Sequence, residues 1–247
     1  MNKKTLWILV GIMVIVIVGF VVSHKPKSPE LQPKPGANSV TNITFKNTTG
    51  DLSVFDKLDG SYSSDATVTH DGSNSIKLST ADPDIITSSA RKNNVMGDAG
   101  RRVSYWFRFD TLPKRDSSIS SVAEASVGSV LAVMMKPTGQ IYGFGVNNAT
   151  PSASAIGTAS PNALAVNTWY RISFAYTVVS TTSFRMDVYV NGEHVSRVTN
   201  ANGTLDRVGT EKISFLARNG VGPKHSFWFD DIYIDDGADF SDPGDIH

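Results

Sequence analysis

Hydrophobic and polar residues alternate with a period of two along much of this chain. In VSYWFRF (103–109), Val103, Tyr105, Phe107 and Phe109 fall on one side and Ser104, Trp106 and Arg108 on the other, the spacing of a half-buried strand. WYRISFAY (169–176) repeats it, with Tyr170, Ile172, Phe174 and Tyr176 opposed to Trp169, Arg171 and Ser173. SIKLS (75–79), IYGFGV (141–146) and KISFLA (212–217) predict further strands. Only Ser117–Met135 is ambiguous, because Ile119, Val122, Val127, Val130 and Leu131 fit a helix nearly as well as two strands.

One hairpin can be drawn residue by residue. Asn191 and Gly192 separate two alternating runs, and both residue types tolerate the positive φ that a two-residue turn demands. The predicted register pairs Val188 with Val195 on the core face, and Tyr189 with His194 and Asp187 with Ser196 on the other. Near the C-terminus, FWFDDIYIDD (227–236) places two consecutive acids, Asp230 and Asp231, inside a strand. Neighbours in a strand face opposite ways, so one carboxylate goes to the buried side and needs a partner. Simple alternation puts Asp230 with Ile232 and Ile234, facing inward.

The first 22 residues differ in kind. Leu6–Val22 carries no charge over seventeen residues, about 25 Å as a helix, and predicts an uncleaved transmembrane signal-anchor over 1–22. Secretion after cleavage near Ser23 is the alternative. Lys3 and Lys4 on one side against Lys25, Lys27 and Lys34 on the other barely decide the orientation,. A stretch with prolines at 26, 29, 33 and 35 follows, so residues 23–41 read as a stalk, residues 42–240 as the folded body and 241–247 as a tail. An extended stalk would reach about 60 Å.

Of the 247 residues, 23 are basic and 23 acidic; a net charge of zero gives no support to a nucleic-acid partner. The absence of cysteine excludes disulfides, thiolate zinc sites and thiol catalysis. Four sequons, at Asn42, Asn47, Asn148 and Asn202, matter only in a host that glycosylates exported proteins.

Many short strands without a long helix predict an all-β, two-sheet antiparallel sandwich. The succession DGSNSIKLS (71–79), VSYWFRF (103–109), NTWYRISF (167–174), DVYVNGEHV (187–195) and FWFDDIYIDD (227–236) resembles the concanavalin A-like lectin/glucanase superfamily, including its laminin-G-like branch, over about Asn42 to Asp236. The resemblance implies a jelly roll, often a carbohydrate- or cell-surface-binding module and in some members a glycoside hydrolase or polysaccharide lyase. It also implies that acids in the last strand tie down a loop or help to bind a structural calcium, for which Asp230 and Asp231 are the candidates. Two carboxylates supply too few oxygens alone, since calcium takes six to eight.

Hydrolysis would need two carboxylates facing across a sugar. The chain has only four glutamates, Glu30, Glu124, Glu193 and Glu211, none in the Glu-x-Asp-x-x-Glu strand the resemblance would require, and no catalytic residue is assigned. His194 and Tyr189 could be drawn as acid and base, but exposed cross-strand pairs are commonly solvated surface. Sugars stack on aromatic rings and hydrogen-bond to flanking polar groups, which makes Trp106 with Arg108, Trp169 with Arg171, and Tyr189 with Asp187 the candidate ligand residues. The competing structural role for Trp106 and Trp169 is as cover for a loop or the second sheet. The expectation is a membrane-anchored, surface-displayed lectin-like module binding glycan or another envelope component without catalysis. A packing protein that associates with itself or a neighbour is the alternative.

Overall fold

A computed structural model describes residues 43–80, 87–94, 100–124, 128–146, 154–180, 183–200, 212–218 and 224–235. The expected anchor, stalk and tail lie outside the described residues. Among those described, no helix is long and apolar enough to cross a membrane.

Fifteen strands account for the described regular structure, apart from one 3-10 turn at Leu52–Val54: β1 Ile43–Asn47, β2 Lys57–Asp59, β3 Ser61–Asp65, β4 Ser75–Ser79, β5 Thr87–Asn93, β6 Gly100–Phe109, β7 Ser117–Glu124, β8 Gly128–Met135, β9 Ile141–Val146, β10 Ser154–Ile156, β11 Tyr170–Ser180, β12 Ser183–Val190, β13 Glu193–Asn200, β14 Lys212–Arg218 and β15 Ser226–Asp235. They form two antiparallel sheets. The first runs β13-β12-β11-β6-β15-β4-β3, with β1 pairing the second half of β15, and the other runs β10-β9-β8-β7-β14-β5-β2. The ambiguous Ser117–Met135 resolves into β7 and β8, paired antiparallel.

The apolar side of each alternating run meets its counterpart between the sheets. Tyr105, Phe107 and Phe109 of β6 and Phe227 and Phe229 of β15 are fully buried there with Phe215 of β14. Tyr105 and Phe215 pack edge-to-face, their ring centroids 5.3 Å apart, a favoured geometry for aromatic pairs. The Tyr105 hydroxyl shares a 2.8 Å hydrogen bond with Ser120 Oγ across the core. A buried hydroxyl needs such a partner, and burial raises the Tyr105 pKa far above its ordinary value.

Two expectations fail for the same physical reason, an extra residue in a strand. In the β12–β13 hairpin, Tyr189 does pair with His194, but the register then shifts, so Val188 lies opposite Ser196 and Asp187 opposite Arg197. Val195 is accommodated in a bulge. In β15 the register shifts between Asp230 and Tyr233, and Asp231 takes φ 44°. A bulge of this kind changes which face later residues occupy. Phe227 and Phe229 precede it on the core face and Ile232 and Ile234 follow it there, all fully buried. Asp230 therefore points away from the core, although only 2% of its surface is exposed.

Candidate functional site

The predicted aromatic residues stand on the outer face of the first sheet, and a loop covers two of them. The connection between β3 and β4 places the His70 ring flat on Trp106, with centroids 3.7 Å apart and planes 16° apart, and edge-on to Trp169 at 5.9 Å. Trp169 Nε1 donates to the Thr69 carbonyl at 3.0 Å. These two tryptophans hold the loop down, the covering role set against a sugar platform. Arg108 lies beside Trp228, which Lys77 also approaches, and donates from Nη2 to Asn167 Oδ1 at 3.2 Å. Arg171 is largely buried, its amide donating to Asn191 Oδ1 at 2.9 Å.

Asp187 and Tyr189 form a separate group at the edge of that sheet. The Asp187 carboxylate, fully buried, receives Arg185 Nε, Arg197 Nε and His194 Nε2, each at 2.7 Å. Tyr189 packs edge-on to His194. Asp187 thus organises three side chains, and its own oxygens are turned to them.

Asp230 and Asp231 sit under the same β3–β4 loop. His70 N donates to Asp230 Oδ2, and Asp231 N donates to Asp230 Oδ1, each at 2.9 Å; this is the loop-tying role that an acid in the last strand allowed. Burial pushes the Asp230 pKa up to about 6 against those two donors, and the charges of Asp231 and Asp71 add to the rise. Asp71 brings a third carboxylate, and one oxygen from each of the three lies within 4.8 Å of the others. Sequence reasoning missed Asp71, whose partnership depends on the loop folding back. An all-oxygen donor set suits a hard cation such as calcium, with further oxygens required from backbone or water.

The outer face of the second sheet was not anticipated. Register places Lys57, Arg91, Ser214, Ser121, Ala132, Phe144 and Ile156 in one row across all seven strands. Six inter-strand spacings of about 4.8 Å carry that row roughly 29 Å. Ser214, Ser121 and Ala132 form a buried floor of small residues between a cationic end and an apolar end, where Ile156 is exposed. Lys212 faces the same way as Ser214, and its pKa is lowered by burial and then by the charges of Arg91 and Lys57. Beside the row, a cavity of about 200 Å³ is lined by Lys114, Arg115, Asp116, Ser118, Met134 and Arg218, together with Pro113.

Seven cations, Lys57, Arg91, Lys114, Arg115, Lys136, Lys212 and Arg218, thus stand on or around this face among the described residues. Two of the acids there are already engaged, Asp59 with Lys57 at 3.0 Å and Asp116 with the Tyr142 hydroxyl at 2.5 Å. Burial and then Asp116 raise the Tyr142 pKa well above its ordinary value, the wrong direction for a base. None of the described histidines, 70, 194 and 225, belongs to a strand of this sheet. In sequence, the clue was the alternation of Lys212, Ser214, Leu216 and Arg218 against Ile213, Phe215 and Ala217; its meaning needed the strand order.

Comparison with known proteins agrees with the sandwich. The family model described as the concanavalin A-like lectin/glucanases superfamily matches residues 90–238, more than half of the chain. No curated protein matches it in sequence. Among solved structures, the endo-beta-1,4-glucuronan lyase of the fungus Trichoderma reesei is similar with a TM-score of 0.63 at 16% identity, over 82% of this chain and 99% of that one. Cellulose induced protein, Cip1, is similar with a TM-score of 0.55 at 16% identity, over 76% and 93%. The binding domain of botulinum neurotoxin DC in complex with SialylT gives 0.54 at 13% identity, over 85% and 51%. At such identities the likeness is one of fold.

Proposed function

The chain belongs to the concanavalin A-like lectin/glucanases superfamily, and from that premise we propose that it is a carbohydrate-binding module whose ligand is an acidic polysaccharide laid across the outer face of the second sheet. The observation that carries this reading is the cross-sheet row: small residues between Arg91 and Phe144, with further cations around it, on a chain whose net charge is zero. Guanidinium groups pair with carboxylate or sulfate in a planar, bidentate way. An aromatic ring at the other end offers a surface for the apolar face of a sugar. A solved structure named as a glucuronan lyase and a binding domain in complex with SialylT share the fold, which supports a saccharide ligand.

In this reading the module binds without cleaving. The supporting observations are the engaged acids and the raised Tyr142 pKa. The charge-free segment Leu6–Val22 and the proline-rich stretch after it favour display at a membrane surface.

The test is titration of the protein with a polyuronate and with a neutral glucan at low and moderate salt. Binding should favour the polyuronate, weaken as salt rises because exposed charges are screened, and fall at least tenfold in the double variant Arg91→Ala, Lys212→Ala. Equal affinity for neutral glucan, or unchanged binding by that variant, would remove the proposal. Chain shortening of the polyuronate during the experiment would instead favour a lyase.

A further inference from the structure

A second cavity lies at the rim of the sandwich, between the β10–β11 connection and the tip of the β12–β13 hairpin. Its volume is about 230 Å³, and its lining combines the apolar Leu164, Val190 and Val195 and the Tyr170 ring with the polar Asn162, Asn191 and Glu193. We propose that this cavity is a binding site for a single neutral pyranose unit, independent of the basic face on the second sheet.

The walls are fixed before any ligand arrives. Ser160 uses three groups to pin the connection to the start of β9: its amide donates to the Ile141 carbonyl at 2.7 Å, its hydroxyl accepts from Ile141 N at 3.0 Å, and its carbonyl accepts from Gln140 Nε2 at 2.8 Å. Leu164 is buried, and its amide donates to the Gly139 carbonyl at 2.9 Å. The Ala165 amide donates to the Tyr170 hydroxyl, also at 2.9 Å. On the opposite wall, Asn191 is tied to Arg171 through both its amide and Oδ1. Fixed walls lower the ordering cost of binding.

The polar groups of the rim, by contrast, are unspent. Asn191 Nδ2, the Asn162 amide and the Glu193 carboxylate make no hydrogen bond among the described residues. They offer donors and acceptors beside the apolar side chains of the same lining. A pyranose combines the same two kinds of surface, C–H groups and hydroxyls. The volume is below the span of typical drug-sized pockets, roughly 300–1,000 Å³, and suits one ring. No lysine or arginine lines the cavity, and Glu193 does, so an anionic sugar is disfavoured here while the basic face favours one.

The experiment is saturation-transfer difference NMR on the full chain, held in a detergent without a sugar headgroup, with a panel of neutral methyl pyranosides. One or more should receive saturation at the ring protons, with at least a tenfold loss of affinity in Glu193→Gln and in Asn162→Ala, and none in Arg91→Ala. Ala163→Trp, at an exposed wall position, should block binding while leaving the near-ultraviolet circular dichroism unchanged. Absence of transfer from every pyranoside, equal binding by Glu193→Gln and Ala163→Trp, or displacement of the sugar by a simple alkylamine would overturn the proposal. Because Arg91→Ala separates the two surfaces, failure here leaves the polyuronate reading standing, and the reverse holds as well.

Discussion

Asp65 closes β3 with a carboxylate that collects several donors. Oδ1 accepts from the Thr67 hydroxyl at 2.6 Å, the Thr67 amide at 2.8 Å and the Val68 amide at 3.3 Å, and Oδ2 accepts from Trp228 Nε1 at 2.9 Å. Burial alone would raise its pKa; the hydrogen bonds from Thr67 and Trp228 outweigh that and bring it down to about 2. An unfolded aspartate titrates near 3.9, so the carboxylate contributes stability that is complete above that value and disappears as pH falls toward 2. Denaturant unfolding of the wild type and Asp65→Asn from pH 7 to pH 2 should show a gap that is constant above about pH 5 and closes toward pH 2. A gap that widens on acidification would contradict this account. Gly143 makes a different residue-level demand. A Cβ there would lie 2.7 Å from Val198 Cγ2 and 3.0 Å from Met186 Cε, so Gly143→Ala forces the side chains across the core to shift. It should cost about 1–3 kcal/mol in urea unfolding, and a neutral result would mean that those side chains move aside freely.

Strands were legible wherever alternation was strong. β4, β6, β9, β11, β14 and β15 all lie where the period-two runs placed them, because a strand half-buried in a sandwich must alternate. The short β2 and β10, three residues each, are too brief to show a period. What alternation could not reveal is where it breaks. The bulge at Asp231 moves Asp230 to the outer face while Ile232 and Ile234 stay in the core, and no rule of spacing marks the inserted residue. Sites suffered more than strands, since each depends on contacts distant in sequence. Trp106 reads as an outward tryptophan in its own strand, and only the return of His70 makes it a packing surface. Arg91 and Lys212 gain their meaning from β14 lying between β5 and β7.

For the molecule as a whole, the Asp71, Asp230 and Asp231 cluster joins the β3–β4 loop to the last strand. Calcium bound there would stabilise the folded state by mass action, about 2.7 kcal/mol at a hundred times the dissociation constant. Thermal unfolding in calcium should therefore run several degrees above unfolding in chelator, and Asp71→Asn with Asp231→Asn should erase the difference; identical melting in both conditions would leave the cluster a purely hydrogen-bonded one. The pairing of β1 with β15 sets Ile43 opposite Asp235, so the described body begins and ends at neighbouring points on the first sheet. The two ends of the described body therefore share one corner of the first sheet. The outer face of the second sheet belongs to the opposite layer. A polymer lying on that face would be held by the layer that carries neither end of the described body.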